Sequence, residues 1–480
     1  MADKKSSNKI LLIVSAVISI LYCAANIVIS QYHEFWRDEA QAWTIAKNLS
    51  IPEIFDLMST EGHFIPWFIV LKVWNVLGGR FADLSIISTI IMTVAVFIFM
   101  YKAPFNPVIK FLIVLSAPFF YYNAVISRCY CIVALAVVLS ATTRKNKDNN
   151  PFPYAMSLAL LLQSHVLLFP FAIALYAEDA LLSIISKSKK RILALIIPML
   201  SLAIAFAELH QSKDQPTFNR VTIDSITNNL NSKFIISGLG SIIYKVYDHG
   251  VVFNIIAVAL IILLITFIIE GIISKSKNAL LLLIAELGGV LGFMGIVTLV
   301  RQCAHIQMAL VFYLMVLFGI WASINEVKNK EDKKHHYLVS TIIFTLICML
   351  SYVNVYNDVR DDINFRFSNS QAIAQDINDI LPEGSTVIVN MQPYISGPYS
   401  YASELRPDIT FWDIDDNEEY RCIVWGSDQE EVDINTIDLT TFPDNTYYLT
   451  SVYRDDGYPM IAVEAEENTW REYFYLFQLK

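Results

Sequence analysis

Charge is scarce in this chain. Asp, Glu, Lys and Arg make up 17% of its 480 residues, whereas a soluble domain carries about 25%. A single soluble globular domain is therefore excluded. Cysteine is sparse and scattered: Cys23, Cys129, Cys131, Cys303, Cys348 and Cys422. No pair has metal-site spacing, and no disulfide framework is expected. Cys129 and Cys131 lie in an apolar run, where cysteine behaves as a small hydrophobe. A cleavable leader is not expected either. Lys4, Lys5 and Lys9 precede an apolar run, but His33, Glu34 and Trp36 follow it instead of a small-residue cleavage site. The run reads as a retained first span. No internal repeat or low-complexity tract occurs.

What is present is apolar surface, at 55% of residues, and a sharp change of composition near residue 355. Residues 356–480 hold 25 Asp and Glu against 7 Lys and Arg. The pattern predicts a polytopic α-helical membrane body over 1–355 and an acidic soluble α/β domain over 356–480. A span needs about 20 apolar residues. About 11 spans are expected, near 10–30, 82–101, 108–126, 128–143, 152–163, 166–186, 191–209, 250–273, 279–300, 306–325 and 337–355. With these spans the basic clusters all fall on one side, from Lys4/Lys5/Lys9 through Arg144/Lys145/Lys147 and Lys187–Arg191 to Lys328–Lys334. Positive loops are cytoplasmic, so the N-terminus is expected inside and the tail outside, in a bacterial plasma membrane. Residues 63–78 break the alternation if they cross, and are expected to skim the outer leaflet.

The outward-facing segments are then the loop 31–62, the turn near 124–128, a long loop at 209–249, the turns at His165 and Arg301–His305, and the tail. In the tail, a helix is expected over Gln371–Ile380. Strands are expected at Thr386–Asn390, Arg421–Trp425, Tyr447–Ser451 and Met460–Val463.

The first outer loop carries the chemistry. It reads His33-Glu34-Phe35-Trp36-Arg37-Asp38-Glu39-Ala40-Gln41-Ala42-Trp43, a charged cluster at the membrane surface. Acidic residues also favour a plain helix start. A second cluster, Glu61-Gly62-His63-Phe64-Ile65-Pro66-Trp67, brings a carboxylate and an imidazole to the bilayer edge. Such groups are costly there unless paired or functional.

The two clusters together resemble the GT-C glycosyltransferases, which include protein O-mannosyltransferases and bacterial aminoarabinose transferases. Asp38-Glu39 match that family's Asp-Glu pair after the first span. Glu61, His63 and Pro66 stand where its second motif belongs, although Phe64 and Ile65 separate His63 from the proline. The resemblance implies an inverting transfer of a sugar from a polyprenyl phosphate to an acceptor hydroxyl on the outer face. An acceptor hydroxyl needs a base, and Asp38 is the expected one. Glu39 would orient Asp38, the sugar or the acceptor. The leaving phosphate needs fixed positive charge. Arg128 and Arg301 suit it through their planar forks, with His63 and His165 as further polar groups. Either arginine also reads as a snorkelling interfacial side chain, and His165 as a capped turn residue.

No Asp or Glu occurs between Asp83 and Asp148, a second departure from many relatives. Asp38, Glu39 and Glu61 could hold a divalent cation through hard oxygen ligands, but nothing in the sequence requires one. The expected partners are a polyprenyl-phosphate-linked sugar, a hydroxyl acceptor and membrane lipid, with no nucleic acid. Two other readings stay open: a flippase for lipid-linked sugars, with ionisable residues such as Glu270 and Glu286 within its spans, and a non-catalytic membrane-anchored assembly protein.

Overall fold

The computed structural model describes residues 2–210, 251–274, 276–297, 306–327, 337–389, 402–415, 417–423, 432–455, 457–467 and 473–480. Arg301, His305 and the body of the predicted 209–249 loop lie outside them.

The N-terminal body is helical. Its helices are α1 (Ala2–Ser30), α2 (Arg37–Asn48), α3 (Ile51–Glu61), α4 (Pro66–Val76), α5 (Leu84–Lys102), α6 (Pro107–Val114), α7 (Tyr130–Arg144), α8 (Phe152–Leu162), α9 (Phe169–Ile185), α10 (Lys189–Ala194), α11 (Ile196–Glu208), α12 (Val251–Ile273), α13 (Lys277–Gly295), α14 (Ile306–Glu326), α15 (Leu338–Leu350) and α16 (Tyr352–Asn364). Among the described residues, eight helical stretches are long and apolar enough to cross a bilayer, from Asn8–Ser30 to Leu338–Asn364, and α7 and α8 are shorter apolar helices. The protein is an integral membrane protein on that evidence. Helix α7 is central, packing against α5, α8 and α14, and most of its residues are buried.

Three expected spans are corrected. The runs at 128–143 and 152–163 form α7 and α8, of 15 and 11 residues, which fall short of the about 20 that a span needs. Residues 108–126 do not form a single helix: α6 ends at Val114, and the chain runs through turns to Ser127. Pro118 and the left-handed Tyr121, at φ 66°, break the helical path. The freed backbone groups find partners on neighbouring helices. Tyr22 donates to the Phe119 carbonyl at 2.5 Å, Ser85 to Val125 at 2.6 Å and Thr89 to Ala124 at 2.9 Å, while Ser351 accepts from the Ala117 N–H at 2.9 Å. Irregular backbone buried in protein is tolerated in a membrane protein for this reason. The segment delivers Ser127, Arg128 and Cys129 to the start of α7.

Helix α4 covers most of the segment expected to skim the leaflet. Its 11 residues rise roughly 16 Å, too short to cross. It buries Trp67, Phe68 and Leu71 and packs against α2.

Helix α16 runs across residue 355, where the composition changes, and leads into the tail. There α17 (Ser370–Ile380) covers a sheet of β1 (Thr386–Val389), β2 (Thr410–Asp413), β3 (Glu418–Glu419), β4 (Thr446–Thr450), β5 (Met460–Glu464) and β6 (Phe474–Gln478). The order is β3-β2-β1-β4-β6-β5, with β1 parallel to β2 and β4 and the other pairs antiparallel. Alternate residues of β1 feed two cores. Val387 and Val389 pack with Ile373 and Ile377 of α17, and Ile388 with Tyr448 and Phe477 on the other face. The expected strand at Arg421–Trp425 is corrected over its described part: residues 421–423 pair with no strand, and 424–425 lie outside the described residues. Their polar groups go to the body instead. The Gln41 side chain accepts from the Ile423 N–H at 2.9 Å and donates to the Ile423 carbonyl at 2.7 Å.

Candidate functional site

The site forms where α2, the turn after α3, the start of α7 and the turn before α9 meet, at the tail-side end of the bundle. Helix α2 begins at Trp36, whose N–H donates to Glu39 at 3.2 Å. A glutamate reaching back in this way closes a helix start. Glu39 is fully buried. It also contacts His33 Nε2 at 3.1 Å and accepts the Ser127 N–H at 2.5 Å. These partners occupy a charge that would otherwise be costly to bury. The Ser127 bond ties the irregular 115–129 segment to α2.

Asp38, one residue earlier, points elsewhere and stays partly exposed. One carboxylate oxygen meets Arg128 at 3.0 Å and the other meets Arg37 Nε at 3.2 Å. The Trp36 and Tyr130 rings lie 5.8 and 5.4 Å from the Arg128 guanidinium, within cation–π range. Burial works against the Arg128 charge, but Asp38 and the neighbouring groups, Glu39 among them, together outweigh it and hold the pKa above its ordinary value.

Behind Arg128 stand two imidazoles. Gly62 ends α3 in the left-handed region, at φ 69°, which a side chain would strain. This turn aims His63 at Arg128. The guanidinium donates to His63 Nε2 at 3.4 Å, and His63 Nδ1 lies 3.5 Å from Cys129 Sγ. His165 sits edge-on to His63, with centroids 4.9 Å apart, and stacks on Tyr130 at 5.0 Å. Its Nδ1 accepts the Leu167 N–H at 3.0 Å, which leaves the proton of a neutral ring on Nε2. Burial pushes the Cys129 thiol up to about 12, so it is no thiolate nucleophile at neutral pH.

The expected residues Asp38, Arg128, His63 and His165 therefore come together. Glu39 adjoins them but is engaged with His33 and backbone N–H groups. Glu61 is buried and accepts from Gln41 at 2.9 Å. Asp38, Glu39 and Glu61 do not gather as a three-ligand cluster. Among the described residues, the group that does is His63, Cys129 and His165, whose ligand atoms lie within 4.8 Å of one another.

A second set of contacts links the site to the tail. His33 Nδ1 meets Asp362 of α16 at 3.2 Å, Tyr121 donates to the same carboxylate at 2.7 Å, and Tyr122 donates to Asp358. Burial lowers the His33 pKa, but Glu39 and Asp362 together push it up to about 10. Next to this clamp, a cavity of about 490 Å³ lies between the first loop and the tail, lined in part by His33, Glu34, Phe35, Asp362, Arg366 and Glu404.

His33, Cys129 and the Asp358/Asp362 pair were not singled out from sequence. Asp358 and Asp362 stand four apart, on one face of an amphipathic helix, which was a usable signal. Cys129 offered none.

No family model matches the chain, and no curated protein matches it. Among solved structures, the chain is similar to the crystal structure of ArnT from Cupriavidus metallidurans bound to undecaprenyl phosphate. The identity is 11% and the TM-score 0.47, with 95% of this chain and 97% of that chain covered.

Proposed function

We propose that the protein is an inverting glycosyltransferase that moves a sugar from a polyprenyl-phosphate donor to an acceptor hydroxyl on the outer face of the membrane. One observation carries the reading. A partly exposed carboxylate, Asp38, stands 3.0 Å from a guanidinium, Arg128, and two imidazoles gather behind that guanidinium. Such transfer needs a base for the hydroxyl proton and fixed positive charge for the departing phosphate.

In this reading the donor phosphate takes Asp38's place at Arg128. The Nε2–H of His165 and the imidazole of His63 add donors around the phosphate oxygens. Asp38, released from the ion pair, accepts the acceptor's proton as its oxygen attacks the anomeric carbon. The phosphate leaves without needing a proton, so one base suffices. Glu39 is a positioning residue: it holds Ser127, and through Ser127 the backbone that carries Arg128. Arg301 remains a candidate for the same phosphate.

The test is Asp38→Asn, which keeps shape and removes the base. Transfer should fall more than roughly tenfold, with expression and donor-lipid binding retained. An undiminished rate rejects Asp38 as base. Arg301→Ala should weaken donor binding, and an unchanged affinity removes it from the site.

One observation favours the transport alternative. Glu286 in α13 is buried, and neither carboxylate oxygen has a hydrogen-bond partner among the described residues. Ionisable groups inside spans mark pathways. Glu286→Gln separates the readings: it should stop a flippase and leave glycosidic-bond formation intact.

A further inference from the structure

We propose that His63, Cys129 and His165 bind a soft divalent cation, with zinc as the fitting ion, beside the Asp38–Arg128 pair. The inference rests on ligand type and geometry and does not depend on glycosyl transfer; in the metal-loaded form His165 Nε2 serves the ion, and Arg128 rather than that imidazole would hold a phosphate.

Two imidazoles and one thiolate form a ligand set suited to zinc rather than to magnesium or calcium, which prefer oxygen. Ligand atoms around tetrahedral zinc stand roughly 3.3–3.8 Å apart, given Zn–N near 2.0 Å and Zn–S near 2.3 Å. Cys129 Sγ and His63 Nδ1 are already 3.5 Å apart. The third ligand needs only a small closure, since all three atoms lie within 4.8 Å. Cys129 and His165 are buried. The three come from separate places: the turn after α3, the residue before α7 and the turn before α9. A bound ion would pin these three segments together, as structural metals do.

The hydrogen bonds around the cluster set its strength. A metal on His63 Nδ1 puts the ring proton on Nε2, so Arg128 must withdraw from its 3.4 Å contact. A metal on His165 Nε2 moves that ring's proton to Nδ1 and gives up the bond from Leu167 N–H. Cys129 releases its thiol proton to solvent, as coordinating thiols do. The Arg128–His63, Cys129–His63 and Leu167–His165 hydrogen bonds and one proton are thus exchanged for three metal bonds. With three protein ligands, the fourth position is left to water. The site is therefore exchangeable, and weaker than a closed four-ligand zinc site. Loading it frees the guanidinium from His63, which couples the metal to the residue that pairs with Asp38.

The test uses the full chain, purified in detergent, stripped with chelator and titrated with Co²⁺. One equivalent per chain should bind, giving tetrahedral d–d bands and a thiolate-to-cobalt charge-transfer band, and Zn²⁺ should displace it. Cys129→Ala should remove the charge-transfer band and weaken binding by more than roughly tenfold. His165→Gln keeps the thiol and should retain the band while also weakening binding. It covers the case in which the cysteine variant does not fold. No charge-transfer band in the wild type, a band that survives Cys129→Ala, or binding unaffected by His165→Gln overturns the assignment.

Discussion

The two ends of the helical bundle each hold a cluster of charges, and they are built differently. At the end remote from the tail, Arg144 makes paired bonds of 2.8 Å to both oxygens of Glu178, with Tyr154 at 2.9 Å and Glu326 at 3.2 Å. Lys147 adds contacts to Glu178 and Asp179, and Arg191 bridges Asp179 and Asp148 at 2.6 and 2.8 Å. The Arg144 and Glu178 side chains are 1% and 2% exposed. At the tail-side end, Arg128 and Asp38 are 12% and 20% exposed and meet at 3.0 Å. The first cluster is closed around Arg144 and Glu178, whose charges are paired inside the protein. The second is partly exposed, and under the proposed function a ligand that competes for Arg128 opens it. Closed pairing of this kind is structural, while a pair that can be parted is where chemistry is expected.

The sharpest way to break this contrast is Glu178→Ala. It takes the shared carboxylate from buried Arg144 and Lys147, leaving them Glu326 and Asp179, and removing one partner of a buried pair costs about 3–5 kcal/mol. A large drop in melting temperature in detergent is expected, with donor affinity unchanged in the molecules that stay folded. A mild effect would mean that the far cluster is as loosely built as the near one.

The converse change, Arg128→Ala, should leave the melting temperature nearly alone. Hydrogen bonds to charged groups are worth about 1.5–3 kcal/mol. Affinity for a polyprenyl phosphate should therefore fall on the order of tenfold to a hundredfold, measured by titration of the purified protein. A collapse of stability with donor affinity intact would place Arg128 with the structural charges.

His33 lies between the two types. It is buried like the far cluster, yet it joins Glu39 of the site to Asp362 of the tail. Its pKa is raised from the ordinary 6.5 to about 10. The charged clamp therefore contributes fully below pH 6.5 and is lost as pH rises through about 10. His33→Gln should cost about 1.5 kcal/mol near pH 6, the lower end for charged hydrogen bonds because burial offsets part of the gain. The wild-type advantage should shrink towards pH 10. A difference that grows with pH has the wrong sign for this clamp.

The same contrast explains what could be read from the sequence. The long apolar helices were legible because lipid forces every backbone group into a helix and each span into an uninterrupted run. The exception, residues 115–129, was illegible because its backbone is satisfied by side chains from distant helices, such as Tyr22 and Ser351. Asp38, His63, Arg128 and His165 stood out because charge near a membrane edge has to be explained. Cys129 did not, since a cysteine in an apolar run looks the same beside an imidazole or a leucine. Arg144, Lys147 and Arg191 looked like solvated, orientation-setting positives, yet each is buried. Their acidic partners Glu178 and Asp179 lie more than 30 residues from Arg144 and Lys147. Lys145, Lys187, Lys189 and Lys190 are the basic residues left exposed in that region. The Arg421–Trp425 strand failed for a related reason: the partner of Ile423 is the Gln41 side chain in the body, not a neighbouring strand.

That last contact sets up the smallest expected effect. Arg421 reaches from the tail to Glu53 and to the Asn48 carbonyl, both at 3.0 Å, and it is about half exposed. Two residues on, Ile423 is held by both ends of the buried Gln41 amide. If burial decides which contacts hold the tail to the body, the ion pair is dispensable and the amide is not. Exposed pairs lose most of their attraction to solvent screening and side-chain entropy. Glu53 is held down to about 2 chiefly by hydrogen bonds from Ser50, with Arg421 a lesser cause, so it stays ionised at neutral pH without its partner. Arg421→Ala should therefore shift the melting temperature by no more than ~1 °C at physiological salt. Gln41→Ala should shift it by several-fold more, because it leaves the buried Ile423 N–H and carbonyl unpaired. Limited proteolysis at the junction of tail and body reads the same comparison locally. Faster cleavage in the Gln41 variant alone is the expected outcome, and equal acceleration in both would mean that surface charge, not the buried amide, docks the tail.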